Sequence, residues 1–116
     1  MKQPGPDHPI TITPTAGRVV VKAGGKVIAD SRRALTLQEG SYPPVQYIPR
    51  ADAQMSELVH STQQTHCPYK GDAAYFSIGG ANNAVWSYEQ PFPAVAAIAG
   101  HLAFYPNKVD SIEIEP

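Results

Sequence analysis

Residues 18–31, RVVVKAGGKVIADS, indicate the fold class of this chain. Two runs rich in β-branched residues flank Gly24 and Gly25, and a Gly-Gly pair supplies the positive φ angles that a tight hairpin turn requires. We therefore predict a β-hairpin here. The alternating ALTLQEG that follows predicts a third strand, and VQYIPR predicts a fourth that ends at Pro49.

Further strands are predicted through the second half of the chain. They lie in AAYFSIGG, NAVWSYEQP, GHLAFYP and VDSIEIEP, and Gly and Pro separate them. One segment differs, because Met55, Leu58 and Val59 fall on one face at helical spacing and Asp52 precedes them as a cap. We predict a mainly β fold with one short helix near residues 52–59.

Length and proline content predict the domain organisation. A chain of 116 residues is long enough for one domain with one modest core. Four prolines lie in the first fourteen residues, and this density opposes both helix and ladder hydrogen bonds. We predict a Pro-rich N-terminal arm over residues 1–17 and a single β domain over residues 18–116.

Charge and hydropathy argue against several partners. The net charge is −1 and the pI is about 6.4, so nucleic acid and anionic membrane surfaces are not expected to bind. The N-terminus lacks the apolar run of a signal peptide, and the apolar stretch FPAVAAIAGHLAFY is too short to span a bilayer. A cytoplasmic location is the expectation.

The stretch THCPYKG, residues 65–71, holds the single cysteine. Lys70 and His66 provide charges that could activate Cys67, but adjacent residues of an extended segment point to opposite faces, so His66 is poorly placed as its base. The glycine pattern of a Walker phosphate loop is missing. Pro68 and Gly71 instead predict a turn, with Cys67 as a structural thiol that packs against the core.

Histidines are scattered along the chain. A three-ligand zinc site from His60, His66 and His101 remains an alternative, but no spacing among them is typical of zinc ligands. We expect no metal and no cofactor.

Aromatic and cationic residues define a candidate ligand site. Trp86 and Tyr88 are two apart on a predicted strand, so their rings share one face, which is either core or pocket wall. We predict that Lys70 lies at the pocket rim facing Arg50, where the two cations would bind an anion. The predicted ligand-binding residues are Tyr47, Arg50, Lys70, Tyr75, Trp86 and Tyr88.

Several motifs together resemble a known family. IADS, LTLQE, YIPRAD, THCPYKGDAAY, WSYEQP and IAGHLAFYP, in this order, are similar to the bacterial and fungal family catalogued as domain of unknown function 427 (DUF427). The resemblance implies a small domain of coiled antiparallel sheets with β-tent or Mss4-like architecture. Some relatives of that architecture bind zinc through paired CxxC motifs. This chain has one cysteine, so we carry over no metal.

Three classes of function remain after this reading. The leading hypothesis is a module that binds a small anionic or aromatic molecule. The first alternative is a small enzyme that uses Cys67 or Lys70 as nucleophile or base, with Asp52 or Glu39 as its partner. The second alternative is a protein-interaction domain in which the aromatic residues are core and an exposed edge strand recruits a partner.

Overall fold

The computed structural model describes residues 1–116 and is mainly β, as predicted. Ten strands form three antiparallel sheets, with strand orders β1-β4-β5, β10-β2-β3 and β6-β7-β8-β9. The strands are β1 Ile10–Pro14, β2 Arg18–Ala23, β3 Lys26–Ser31, β4 Leu35–Glu39, β5 Val45–Tyr47, β6 Leu58–Cys67, β7 Gly71–Ile78, β8 Ala81–Tyr88, β9 Ala103–Phe104 and β10 Ser111–Glu115.

The predicted hairpin is present as β2 and β3. Gly24 and Gly25 form its turn with φ angles of 58° and 76°, a region that residues with a Cβ rarely adopt. β10 pairs along the other side of β2, with Ile112 opposite Val21. The C-terminus of the chain thus completes the sheet that the hairpin begins.

Helical structure near residues 52–59 consists of two single 3₁₀ turns, Arg50–Asp52 and Met55–Glu57, where we predicted one helix. The Asp52 side chain does not cap a helix, because it accepts hydrogen bonds from Ser31 and Arg33 instead. Leu58 already begins β6. The other helical segments, Pro93–Ile98 and Pro106–Lys108, are also 3₁₀ turns, and no helix is long and apolar enough to cross a membrane.

β6 is a strand that the sequence reading did not predict. It spans Leu58–Cys67 at the edge of the four-stranded sheet and pairs only with β7. Its register shifts between His60 and Gln64, and most of its side chains are exposed and polar. An edge strand with neither face buried has no alternating pattern, which explains why its sequence resembles a loop.

The Pro-rich segment, residues 1–17, also contributes a strand. β1 pairs antiparallel with β4, so that Ile10 lies opposite Glu39 and Pro14 opposite Leu35. β1 is an edge strand, and its prolines stand at the end of the strand or outside it, where a missing N–H is tolerated. Ordered structure therefore begins before Arg18.

The core is divided into two clusters of buried residues. The larger cluster is mostly aliphatic and includes Val21, Ile28, Ile48, Leu58 and Phe104. The smaller one, here called the aromatic cluster, contains Leu37, Tyr47, Tyr75, Tyr88, Val95, Ile98, Ala73 and Ala103, with Trp86 and Tyr105 packed against it. Adjacent residues of β7 serve different clusters, since Tyr75 belongs to the aromatic cluster and Phe76 to the larger one.

Candidate functional site

A cavity of about 820 Å³ lies where the two clusters meet. Residues of all three sheets line it, together with the loop that holds Tyr42, Pro43 and Pro44. The lining is predominantly apolar, and Glu39 and Lys70 are its only charged residues. A volume of this size falls within the range of small-molecule sites in proteins.

Aromatic side chains form the wall of this cavity. The Trp86 ring lies 4.4 Å from the Tyr105 ring, measured between centroids, and meets the Tyr47 ring edge-on at 6.3 Å. Trp86 Nε1 donates a hydrogen bond of 3.2 Å to the Tyr47 hydroxyl. These contacts fix the ring orientations before any ligand is present, so little conformational entropy is lost on binding.

The Tyr88 hydroxyl is a polar group of the cavity wall that has no partner in the protein. It makes no hydrogen bond within the protein. Only two side-chain atoms are both fully buried and without a partner, Arg50 Nε and Asn83 Oδ1, so the Tyr88 hydroxyl is not fully buried. The hydroxyl therefore retains contact with the open cavity. Burial raises the pKa values of Tyr47 and Tyr88, so both hydroxyls stay protonated and can donate to a ligand at neutral pH.

The turn in THCPYKG places Lys70 in the cavity wall. Lys70 N–H donates to the Cys67 carbonyl at 3.3 Å, and the Lys70 carbonyl accepts from Phe92 N–H at 3.0 Å. Gly71 follows with φ of 112°, a conformation that favours glycine. Lys70 Nζ then lies 6.0 Å from the Tyr88 ring centroid and donates to Glu39 Oε1 at 2.5 Å.

Glu39 is shared between two donors. His8 Nε2 donates to its second carboxylate oxygen at 2.7 Å, and the His8 ring stacks on Tyr69 at 3.8 Å between centroids. Burial opposes ionisation of Glu39, but the hydrogen bonds from Lys70 and His8 outweigh it and hold its pKa below the ordinary value. The N-terminal segment thus packs directly over the turn that carries Lys70.

Arg50 does not share this cavity. Its guanidinium donates to both carboxylate oxygens of Glu89, at 3.0 and 2.8 Å, and lies 5.5 Å from the Phe76 ring centroid. Phe76 faces the larger cluster, on the side of β7 opposite to Tyr75. The prediction that Arg50 faces Lys70 is therefore wrong, because Arg50 packs on Phe76 and Lys70 lies beside Tyr88, and these two aromatic residues belong to different clusters.

The other predicted ligand residues come together. Tyr47, Lys70, Tyr75, Trp86 and Tyr88 all line the cavity. The alternatives of core and pocket wall do not exclude each other here, since Tyr47, Tyr75 and Tyr88 are also buried members of the aromatic cluster.

The groups considered for catalysis or metal binding are dispersed. Cys67 is half-buried at the end of β6 and does not line the cavity. Asp52 is bound to Ser31 and Arg33, away from Lys70. His60 packs against Phe76, His66 pairs with Asp72, and no group of three or more His, Cys, Asp or Glu side chains could hold a metal ion.

Sequence reasoning missed several lining residues. Tyr105 could have been predicted as a wall residue, because it is an aromatic residue at the end of the predicted strand GHLAFYP. The loop residues Tyr42, Pro43 and Pro44 have only the rigidity of Pro-Pro to suggest a role. Nothing in the sequence indicates that Ile112 and Ile114 line a cavity. They alternate as ordinary strand residues do, and they reach the cavity only through the pairing of β10 with β2.

Comparison with known proteins identifies the family of the chain. No curated protein matches the sequence. The family model described as a domain of unknown function (DUF427) matches residues 11–115, which include nine of the ten strands completely and all but the first residue of β1. The chain belongs to this family.

Proposed function

We propose that the protein is a binding module for a small molecule with an apolar, preferably aromatic, body and an anionic group. The observation that carries this proposal is the cavity of about 820 Å³, whose lining is predominantly apolar and contains a single charged pair, Lys70 and Glu39. Few polar groups in an apolar concavity are typical of sites that bind small molecules and orient them.

The aromatic wall supports a planar ligand. Trp86, Tyr105 and Tyr47 present ring faces and edges at fixed angles, and a ligand ring can stack on or pack edge-on against them. Each such contact adds about 0.5–1.5 kcal/mol to the free energy of burying the ligand's apolar area.

Lys70 and Tyr88 support an anionic group on the ligand. Lys70 Nζ gives one hydrogen bond to Glu39 and has two further N–H donors. The Tyr88 hydroxyl has a donor without a partner, and the Lys70 ammonium lies near the same ring. A ligand carboxylate between these donors would accept from both while Glu39 keeps its hydrogen bond from His8.

A pair of matched probes tests this proposal. 3-Phenylpropionate and 3-phenylpropylammonium share an aromatic body and differ in the sign of their charge. At about one hundred times its dissociation constant, the carboxylate should stabilise the protein by about 2.7 kcal/mol and raise Tm by about 10 °C. The ammonium should give a much smaller shift. Equal shifts, or none with the carboxylate, would contradict the proposal.

A further inference from the structure

The cavity has two chemically different ends. Its charged residues, Glu39 and Lys70, lie beside Tyr88 in the aromatic cluster. Its other end belongs to the larger cluster and is lined by Val21, Ile48, Phe104, Ile112 and Ile114, with no charged side chain.

Strand geometry separates these ends. Phe104 pairs with Val85 on β8, and Tyr88 is three residues further along the same strand. Three residues of a strand span about 10 Å. The aliphatic end therefore lies beyond the reach of a single ring that is bound at Lys70.

The aliphatic end opens to solvent through apolar residues. Among the large hydrophobic side chains of the protein that are exposed, Ile114 lines this end of the cavity. Ile114 is 52% exposed, whereas Ile112, two residues away on the same face of β10, is half-buried. Exposed apolar residues at the mouth of an apolar cavity mark a surface that a ligand covers.

We propose that the cavity takes an amphiphile, with an anionic head at Lys70 and Tyr88 and an unbranched aliphatic chain that runs past Trp86 to Ile112 and Ile114. This inference rests on the proposed function and adds the class of ligand. The charge at one end fixes the direction of the chain, and the apolar mouth accommodates its terminus.

A series of fatty acids tests the inference. Hexanoate, octanoate and decanoate are titrated below their micellar concentrations, with Trp86, the only tryptophan, as the fluorescent reporter. Each added pair of buried methylenes should tighten binding about tenfold. Decanoate should also displace 3-phenylpropionate, and decylammonium, with the same chain and a cationic head, should bind at least tenfold more weakly than decanoate.

A matched pair of variants tests where the aliphatic chain of the ligand lies. Ile114→Glu introduces a charge at the mouth and should weaken decanoate binding at least fivefold more than it weakens the binding of hexanoate or 3-phenylpropionate. Val27→Glu is the control, because Val27 is a comparably exposed β-branched strand residue, at 47%, outside the cavity. It should change none of the three affinities.

The outcomes separate the two proposals. Binding of 3-phenylpropionate without any increase from hexanoate to decanoate would overturn the amphiphile and leave the proposed function standing. Binding of no probe would overturn both. Should Ile114→Glu fail to fold, it would lose 3-phenylpropionate as well, and the chain-length series on the unmodified protein would still decide.

Discussion

Lys70 and Arg50 each bind one carboxylate, but the two ion pairs have contrasting surroundings. The side chains of Lys70 and Glu39 are 9% and 16% exposed, and both face the cavity. Those of Arg50 and Glu89 are 35% and 43% exposed. Water screens the second pair more strongly than the first, so similar contacts differ in their energetic weight.

The difference indicates that the buried pair serves a function other than stability. Removing two charges from water costs more than their attraction returns unless further hydrogen bonds compensate, so apolar residues could replace the buried pair without loss of stability. A charged pair at this position makes sense if the cavity needs a polar group. The exposed pair needs no such explanation, since surface pairs cost and contribute little.

Removing one partner of each pair should give the largest contrast. Glu39→Ala leaves the Lys70 ammonium buried without a carboxylate and should lower the free energy of unfolding by about 3–5 kcal/mol. Glu89→Ala should lower it by only about 1 kcal/mol, because the side chains of this pair are about one third or more exposed. Urea denaturation measures both values. Equal losses would show that the surroundings of the two pairs do not matter.

Removing the whole buried pair should restore stability. The double variant Glu39→Ala/Lys70→Met contains no unpaired buried charge, so its free energy of unfolding should return to within about 1 kcal/mol of the parent protein. Urea denaturation of the parent, the single and the double variants gives this coupling directly. A double variant as unstable as Glu39→Ala alone would indicate that the lost packing of Glu39, and not the unpaired charge, causes the destabilisation.

The contribution of the Lys70–Glu39 pair to stability should depend on pH. The pKa of Glu39 is below its ordinary value, so its contribution to stability is present above the unfolded-state pKa of about 4.3 and is lost as the pH falls through the folded-state value. Stability should therefore fall below about pH 4 in the parent protein. Glu39→Gln should show a shallower decline over that range by urea denaturation, and an identical decline would contradict the assignment.

The smallest effect is expected at the exposed pair. A double-mutant cycle with Arg50→Met and Glu89→Gln should give a coupling of about 0.2–1 kcal/mol at low salt. The coupling should vanish near 1 M NaCl, where the Debye length is about 3 Å. Persistence of the full coupling in high salt would mean that the Arg50–Glu89 pair is shielded from solvent after all.

The features that could be predicted from the sequence are those that depend on local pattern, and those that could not depend on long-range contacts. Alternation and Gly-Gly turns predicted the β fold and the hairpin, because they depend on neighbours in the chain. Alternation also placed Trp86 and Tyr88 on one face. The partner of Lys70 could not be predicted, since Glu39 reaches it only through the arrangement of two sheets, 31 residues apart in sequence.

Two other features depended on tertiary context. β6 has no buried face and therefore no periodicity, so its strand character comes from its pairing with β7. The aliphatic end of the cavity could not be predicted from the sequence either, because Ile112 and Ile114 come close to Val21 only when β10 pairs with β2. Long-range pairing, and not local pattern, forms these surfaces.

A fluorescence titration with 3-phenylpropionate tests the central claim most directly. Two matched double variants are compared with the parent, Lys70→Met/Glu39→Gln and Arg50→Met/Glu89→Gln, and Trp86 in the cavity wall reports binding. Each variant removes one pair whole, so neither leaves an unpaired charge. Loss of the charge-assisted hydrogen bond should weaken binding about 10- to 100-fold in the first variant. The second should bind within about twofold of the parent, and equal weakening in both, or in neither, would contradict the assignment of the ligand site to Lys70.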